Sequence, residues 1–417
     1  MTTKTEASAA KGLGRGERIG PLAALSHRDF RLLWLGLLVS NAGTQLSRAA
    51  MAWQVYLLTG SPLSLGLAGL FQVLPLPVIT LFAGALADTV DRRRLMLVTQ
   101  AGSMAVVGGL GLLTALDLVQ VWHVYAAGFL MTTFAALDRP ARQSLIPALV
   151  PKEHLLNAFT LMTTLANASS FVGPLVAGVV LASGSIALAY LLDAVSFLAV
   201  VVALLALRAR PGRPSGGGIN AQTIVAGLRF VWGTPIIATM LGLDLAAMLL
   251  GSYHLMMPVF ADRLQVGSVG YGALLAAPAA GAVIGSTGML LLGRVERPGW
   301  LLLAAVGGYG LALVGLGLSN LFSLSLVCAA LLGVTDSLSM AIRHTTVQLA
   351  TPDSLRGRVS SAFQLCVQGG PGLGALILGT TATAVGIGPA VALGGLGVVA
   401  VVALLTQLSR PLRDLRG

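Results

Sequence analysis

The chain has 417 residues, 56% hydrophobic and only 10% charged, with a formal net charge of +11. Soluble domains carry about a quarter charged residues, so a water-exposed globule of this size is excluded for want of polar surface. The positive excess does not mark a nucleic-acid binder either, because the basic residues cluster at the ends of apolar segments.

Uncharged apolar runs of about 18 residues or more signal membrane helices, and the chain is nearly built from them. Between Arg94 and Asp117 lie 22 uncharged residues, and between Arg358 and Arg410 lie 51. A basic cytoplasmic tail, 1–30, leads into spans expected at about 31–57, 62–87, 94–115, 121–141, 155–182 and 186–207, a first six-helix bundle over 31–207. Residues 208–218 hold Pro211, Pro214 and three consecutive glycines and read as a flexible linker. An amphipathic stretch around Ile219 to Trp232 is expected on the membrane surface, so that 208–234 joins the halves. A second bundle over 235–409 holds spans at about 235–261, 268–292, 299–318, 321–342, 358–383 and 387–409, followed by a short tail, 410–417. The basic N-terminus with Ala50-Met51-Ala52 loosely resembles a cleavable signal, but its apolar segment is too long, and the first helix is expected to be retained.

Twelve spans put 24 of the 26 lysines and arginines on one side of the membrane, with Arg48 and Arg263 the exceptions. Cytoplasmic loops carry the positive excess, so both termini are expected in the cytoplasm. A shift of 201 residues brings the halves into register: Gly84 falls on Gly285, Arg93 on Arg294, Arg142 on Arg343, Gly173 on Gly374 and Gly178 on Gly379. Parallel repeats of this kind are a transporter architecture with substrate bound between the repeats. Cys328 and Cys366 both fall inside spans and offer neither a disulfide framework nor metal-ligand spacing. None of the three lysines sits in a phosphate-cradling glycine-rich loop. No ATP, metal or other cofactor is therefore expected.

Ionisable groups inside spans cost about 2.5–3.5 kcal/mol each, which makes them functional candidates. Here they are Arg48, Asp193, Asp244, His254 and Asp336. Asn41, Gln45 and Arg48 are spaced four and three apart and share one face of the first helix, expected to line a central cavity. Three roles stay open for Arg48: holding an anionic substrate group, neutralising an aspartate until protons displace it, or a structural ion pair. Asp193 and Asp244 are candidate proton carriers. Asp336 is expected to pair with Arg343, and His254 to sit hydrogen-bonded near the outer mouth. Asn167, Gln364 and Gln368 add hydrogen-bonding capacity in the fifth and eleventh spans, as substrate contacts or as interhelical glue. Trp53, Trp122, Trp232 and Trp300 read as interface anchors.

The loop between the second and third spans runs Gly84-Ala-Leu-Ala-Asp88-Thr-Val-Asp91-Arg92-Arg93-Arg94. It resembles the signature Gly-x-x-x-Asp-x-x-Gly-Arg-Arg loop of the major facilitator superfamily, with Thr89 where a basic residue is usual and Asp91 where glycine is usual. The resemblance implies a conformational latch in which Asp88 holds the eleventh helix and Arg92 or Arg93 pairs with Asp138. Gly173-Pro174-Leu-Val-Ala-Gly178 resembles the fifth-helix motif of exporters that exchange substrate for protons, with Ala177 in place of its penultimate glycine. The segment from Asp138 to Pro151 is similar to the branch of enterobactin-type siderophore exporters and macrolide-efflux proteins. The fourth span shows no mid-membrane arginine of the kind drug–proton antiporters carry, and His123 lies near its outer end.

The expected protein is thus a monomeric, all-α inner-membrane transporter of bacterial type that exports an amphipathic small molecule against protons. A nutrient symporter is the second reading. A lipid-modifying membrane enzyme would need clustered acids or His-rich loops.

Overall fold

Proline opens several of the helices and glycine closes others, and these short turns divide the chain into long rods. The structure is a computed structural model that describes residues 20–79, 90–208, 229–293, 295–352 and 355–409, without the side chains of 292, 356–358 and 360–366. The first half holds α1 (Arg28–Thr59), α2 (Pro62–Val73), α3 (Arg92–Ala115), α4 (Val121–Leu145), α5 (Leu155–Ala182) and α6 (Ile186–Ala206). The second holds α7 (Pro235–Leu250), α8 (Gly267–Leu292), α9 (Pro298–Leu318), α10 (Phe322–Ala350), α11 (Arg356–Val385) and α12 (Ile387–Leu408). Among the described residues there is no strand.

Proline begins α2, α7 and α9, where its missing N–H costs nothing. Asp91 caps α3 by accepting from the Arg94 N–H at 2.9 Å, which explains an acid where the signature loop usually has glycine. Gly60 ends α1 at φ +60, in the left-handed region that favours glycine. The seventh span is broken after Leu250: a 3₁₀ turn, His254–Met256, and a short helix, Met257–Arg263, complete it. Residues 20–27, ahead of α1, are docked at the start of α5. Ala24 N–H donates to Asn157 Oδ1, the Asn157 amide donates to Pro21 O, and His27 meets His154.

Large apolar side chains cover much of the exterior, unlike that of a water-soluble protein, while several charged groups are buried. Val98, Val179, Leu290, Leu291 and Leu311 are all exposed, while Asp138, Asp193, Asp244 and Arg343 are buried. Among the described residues, nine helices are long and apolar enough to cross a membrane. Helices α1, α4 and α11 are long enough at 32, 25 and 30 residues but are not among the nine. Each of these three brings polar side chains to the central cavity.

Helices α1–α6 pack on one another, as do α7–α12, and the principal contacts between the sets are α2 on α11 and α5 on α8. Both rest on backbone-to-backbone approach. A side chain on Gly178 would meet Ser268 O, Val269 Cα and Gly272 Cα, and one on Gly379 would meet Pro62 O, Leu63 Cα and Gly66 Cα. The two contacts are copies of one another. The repeat offset is 201 between α5 and α11 but 206 between α2 and α8, so the uniform shift read from the sequence drifts in that helix pair.

At the end where α2 and α8 begin, both halves share one apolar core containing Ala50, Val55, Leu65, Met256, Phe260 and Tyr271. Trp53 belongs to this junction, its ring 4.9 Å from Tyr271, rather than anchoring a lipid interface. Tyr271 donates to Ala49 O at 2.9 Å and Tyr56 donates to Asp262 Oδ2 at 2.8 Å, so hydrogen bonds also tie the halves there. At the opposite end each half has its own core, around Phe30, Met96 and Leu204 in the first and around Leu302 and Ile237 in the second. The halves are thus joined at one end and separate at the other.

Candidate functional site

The space between the separated halves is a cavity of about 740 Å³. It falls in the size range of small-molecule sites, roughly 300–1,000 Å³. Its walls come from α1, α2, α4 and α5 on one side and from α8, α11 and the break in the seventh span on the other. Leu76, Leu255, Tyr271, Leu275 and Val367 supply apolar surface, and Gln45, Gln72, Gln143, Ser170 and Gln368 supply polar groups.

Prolines interrupt the interiors of α4 (Pro140), α5 (Pro174), α8 (Pro278) and α11 (Pro371), and all of these line this cavity. Each removes the N–H that would bond the carbonyl four residues earlier. Irregular backbone of this kind is tolerated at membrane depth where it faces protein or a water-filled space. Ser252, at the break of the seventh span, donates to Pro371 O at 2.7 Å and ties that break to α11.

Of the polar residues expected in the cavity, Gln45, Arg48 and Gln368 line it. The Gln45 amide donates to Ser170 Oγ at 3.1 Å and its carbonyl accepts from Arg48 at 3.4 Å, which links α1 to α5. Asn41 is not part of the wall: its amide donates back to Leu37 O at 2.8 Å within α1. Asn167 is exposed on α5, one turn before Ser170, and likewise does not line the cavity. The Gln364 side chain lies outside the described residues.

The two candidate proton carriers are buried outside the cavity. Asp193, at 0% exposure, sits between α6 and α1 and accepts from Ser47 Oγ at 2.5 Å and Ser196 Oγ at 3.0 Å. Arg48 feels its charge but is not within ion-pair distance, because Ser47 turns toward α6 and Arg48, about 100° further around the helix, turns to the cavity. Asp244 pairs with Arg343 deep inside the second half, and Asp336 approaches the same guanidinium at 3.7 Å, as expected for Asp336. These groups border a separate space of about 40 Å³. His254, expected to be hydrogen-bonded at the outer mouth, lies on the cavity wall with its ring stacked on Tyr253 at 4.1 Å.

The pairing of Arg92 or Arg93 with Asp138 that the resemblance implies is not made in this structure. Gly84 and Asp88 lie outside the described residues. Arg92 donates to Ser144 O at 2.9 Å and Arg93 to Leu205 O at 2.9 Å, so each guanidinium serves carbonyls at a helix C-terminus instead of Asp138. Asp138 is held by Thr99 Oγ1 at 3.2 Å, Gln100 Nε2 at 3.1 Å and Arg142 at 3.7 Å. The fifth-helix motif is a packing device at both its glycines. Gly173 abuts Ala42 O and Gln45 on α1, Gly178 abuts α8, and Pro174 between them faces the cavity.

Sequence reasoning missed Arg139. The positive-inside count placed it with the cytoplasmic basic residues at the end of the span expected at 121–141, but α4 continues to Leu145, and Arg139 projects from it into the cavity. It lies close enough to Arg48 for the two cations to repel one another. The signal that could have found it is Pro140, which matches the other three wall prolines.

Comparison with known proteins agrees with this geometry. Residues 19–415 match the family described as transmembrane secretion effector. The chain is 28% identical over 354 residues to the enterobactin exporter EntS of Shigella boydii, covering 85% of each protein. Among solved structures it superposes on the nucleoside transporter NupG with a TM-score of 0.74 at 10% identity, covering 92% of this chain and 99% of that one. It also superposes on a bacterial homologue of the iron transporter ferroportin in an inward-facing state, with a TM-score of 0.70 at 16% identity, covering 92% and 99%.

Proposed function

This chain belongs to the transmembrane secretion effector family of major facilitator transporters, and on that premise we propose that it is a proton-driven exporter of an amphipathic small molecule. The observation that carries the reading is the asymmetric junction: one shared core at one end of the halves, separate cores at the other, and a 740 Å³ cavity between. Such a molecule exchanges access by rocking its halves about the bound substrate. It is a multi-pass membrane transporter and not an enzyme.

In this reading all twelve helices cross a bacterial inner membrane, in six-helix bundles over 31–207 and 235–409 joined by 208–234. The basic loops put both ends of the chain in the cytoplasm. The open end of the cavity, near Arg139 and Gln143 at the close of α4, then faces the cytoplasm, where an exporter loads. The protein works as a monomer without ATP. Asp193 carries the proton: it is desolvated, held by two hydroxyls, and one residue's turn of α1 from the cavity arginine. Protonation there removes the charge that attracts Arg48 and biases the return step.

The test uses energised everted vesicles with a panel of macrolides, lipophilic dyes and a catecholate siderophore. Accumulation that collapses with a protonophore is expected, and Asp193→Asn is expected to bind substrate without pH-driven accumulation. Full gradient-driven transport by Asp193→Asn sinks the proton assignment, and uptake in the opposite direction sinks export.

A further inference from the structure

The charge on the cavity wall is one-sided. Arg48 from α1 and Arg139 from α4 both face the space, together with His254 at the break of the seventh span, and among the described residues no aspartate or glutamate lines it. The absence of acids is not for want of acids nearby. Among the described residues, each neighbouring carboxylate is turned away and engaged elsewhere: Asp193 by Ser47 and Ser196, Asp138 by Thr99, Gln100 and Arg142, and Asp244 by Arg343. The same local arrangement occurs twice. Ser47 reaches a buried acid on α6 while its neighbour Arg48 enters the cavity. Asp138 is bound from α3 while its neighbour Arg139 enters the same cavity.

Two guanidiniums near enough to repel, in a space walled by apolar residues, feel Asp193 and Asp138 but form no ion pair among the described residues, so the wall keeps a positive excess until something negative arrives. Guanidinium is the group best matched to carboxylate, sulfonate or catecholate oxygens, because its planar donors bond two oxygens at once. The opposite wall is apolar around Leu255, Tyr271 and Leu275 and suits a ring system. We infer that the cavity is a site for amphipathic organic anions, held by Arg48 and Arg139 as a two-armed clamp. The inference rests on the transporter reading for its biological use, but the binding it claims is measurable without transport.

The probes are two dyes of one ring size and opposite charge, carboxyfluorescein and rhodamine 6G, titrated by fluorescence anisotropy onto the purified full-length protein. Carboxyfluorescein is expected to bind at least about tenfold more tightly, and added salt is expected to weaken it. Arg48→Gln and Arg139→Gln are each expected to weaken carboxyfluorescein by about tenfold or more, as for a charge-assisted hydrogen bond, and to leave rhodamine 6G unchanged or tighter. Arg48→Lys and Arg139→Lys are expected to recover part of the loss, which separates the loss of charge from misfolding. Equal affinity for the two dyes, preference for rhodamine 6G, or an unchanged carboxyfluorescein affinity in the double glutamine variant would overturn the site. Arginine-dependent anion binding with no gradient-driven accumulation in vesicles would uphold the site and sink the transport reading instead.

Discussion

Replacing Gly178 by alanine tests whether the α5–α8 contact governs access to the cavity. The new methyl would lie 2.9 Å from Ser268 O, 3.1 Å from Gly272 Cα and 3.3 Å from Val269 Cα. All three are backbone atoms, so no side chain can swing aside. Restoring an ordinary contact of about 3.4 Å requires α5 and α8 to part by about 0.5 Å. Overpacking of this kind costs about 1–3 kcal/mol, and the cost falls only on the conformation in which the halves touch at this end. The equilibrium should therefore move about 5- to 150-fold toward the conformation that opens there. Spin labels at Leu118→Cys and Leu321→Cys, exposed turns of opposite halves at this end, read the change as a distance distribution, with Cys328 and Cys366 replaced by alanine. The expected result is a second, longer population in Gly178→Ala. Gly242→Ala, where an added methyl meets nothing within 4 Å, should leave the distribution unchanged. If Gly178→Ala also matches the parent, close approach at this contact does not control opening.

Further outcomes follow from other contacts. Tyr56→Phe removes the 2.8 Å bond to Asp262 across the halves and should shift the same label pair in the same direction by about 1 kcal/mol, a smaller effect than the glycine wedge. Asp244→Ala leaves Arg343 buried with only Asp336 nearby at 3.7 Å, so thermal unfolding in detergent should show a loss of about 3–5 kcal/mol. Pairing Asp244→Leu with Arg343→Met should recover most of that stability, and failure to do so would mean the pair does more than satisfy its own charges. Asp138→Leu strands the Gln100 amide and removes the carboxylate from Arg142, while Thr99 keeps Met96 O, and should destabilise by about 1–3 kcal/mol, whereas Asp138→Asn keeps the Oδ1 acceptor and should cost less in the same melt.

The apolar rods were legible in the sequence because lipid imposes a requirement that composition reports directly: about 20 apolar residues per crossing. Turn positions followed from proline and glycine, and the glycines that repeat at Gly178 and Gly379 proved to be the paired contacts between the halves. The site was less legible. An aspartate within a span announces that it is costly, but not which neighbour compensates it. Asp193 meets the hydroxyl of Ser47, a residue 146 positions away, and Asp244 meets Arg343, which read as a cytoplasmic-side basic residue. Spacing on α1 grouped Asn41 with Gln45 and Arg48, yet the Asn41 amide bonds to its own helix, an option open to any short amide side chain.

Arg139 was hidden by a rule that is itself sound. An arginine must keep its charge in water, and hydropathy assigns that water to the loops. Here the water-accessible space is the cavity, so the energetic requirement is met without the helix ending. Charge alone does not distinguish the two environments. Proline does, because inside a membrane helix it leaves a carbonyl that hydrocarbon cannot satisfy, and only protein donors or a wet cavity can. Pro140, Pro174, Pro278 and Pro371 meet that condition, and they mark the four helices α4, α5, α8 and α11 as cavity walls. Arg139, directly before the first of them, belongs to the cavity by the same argument.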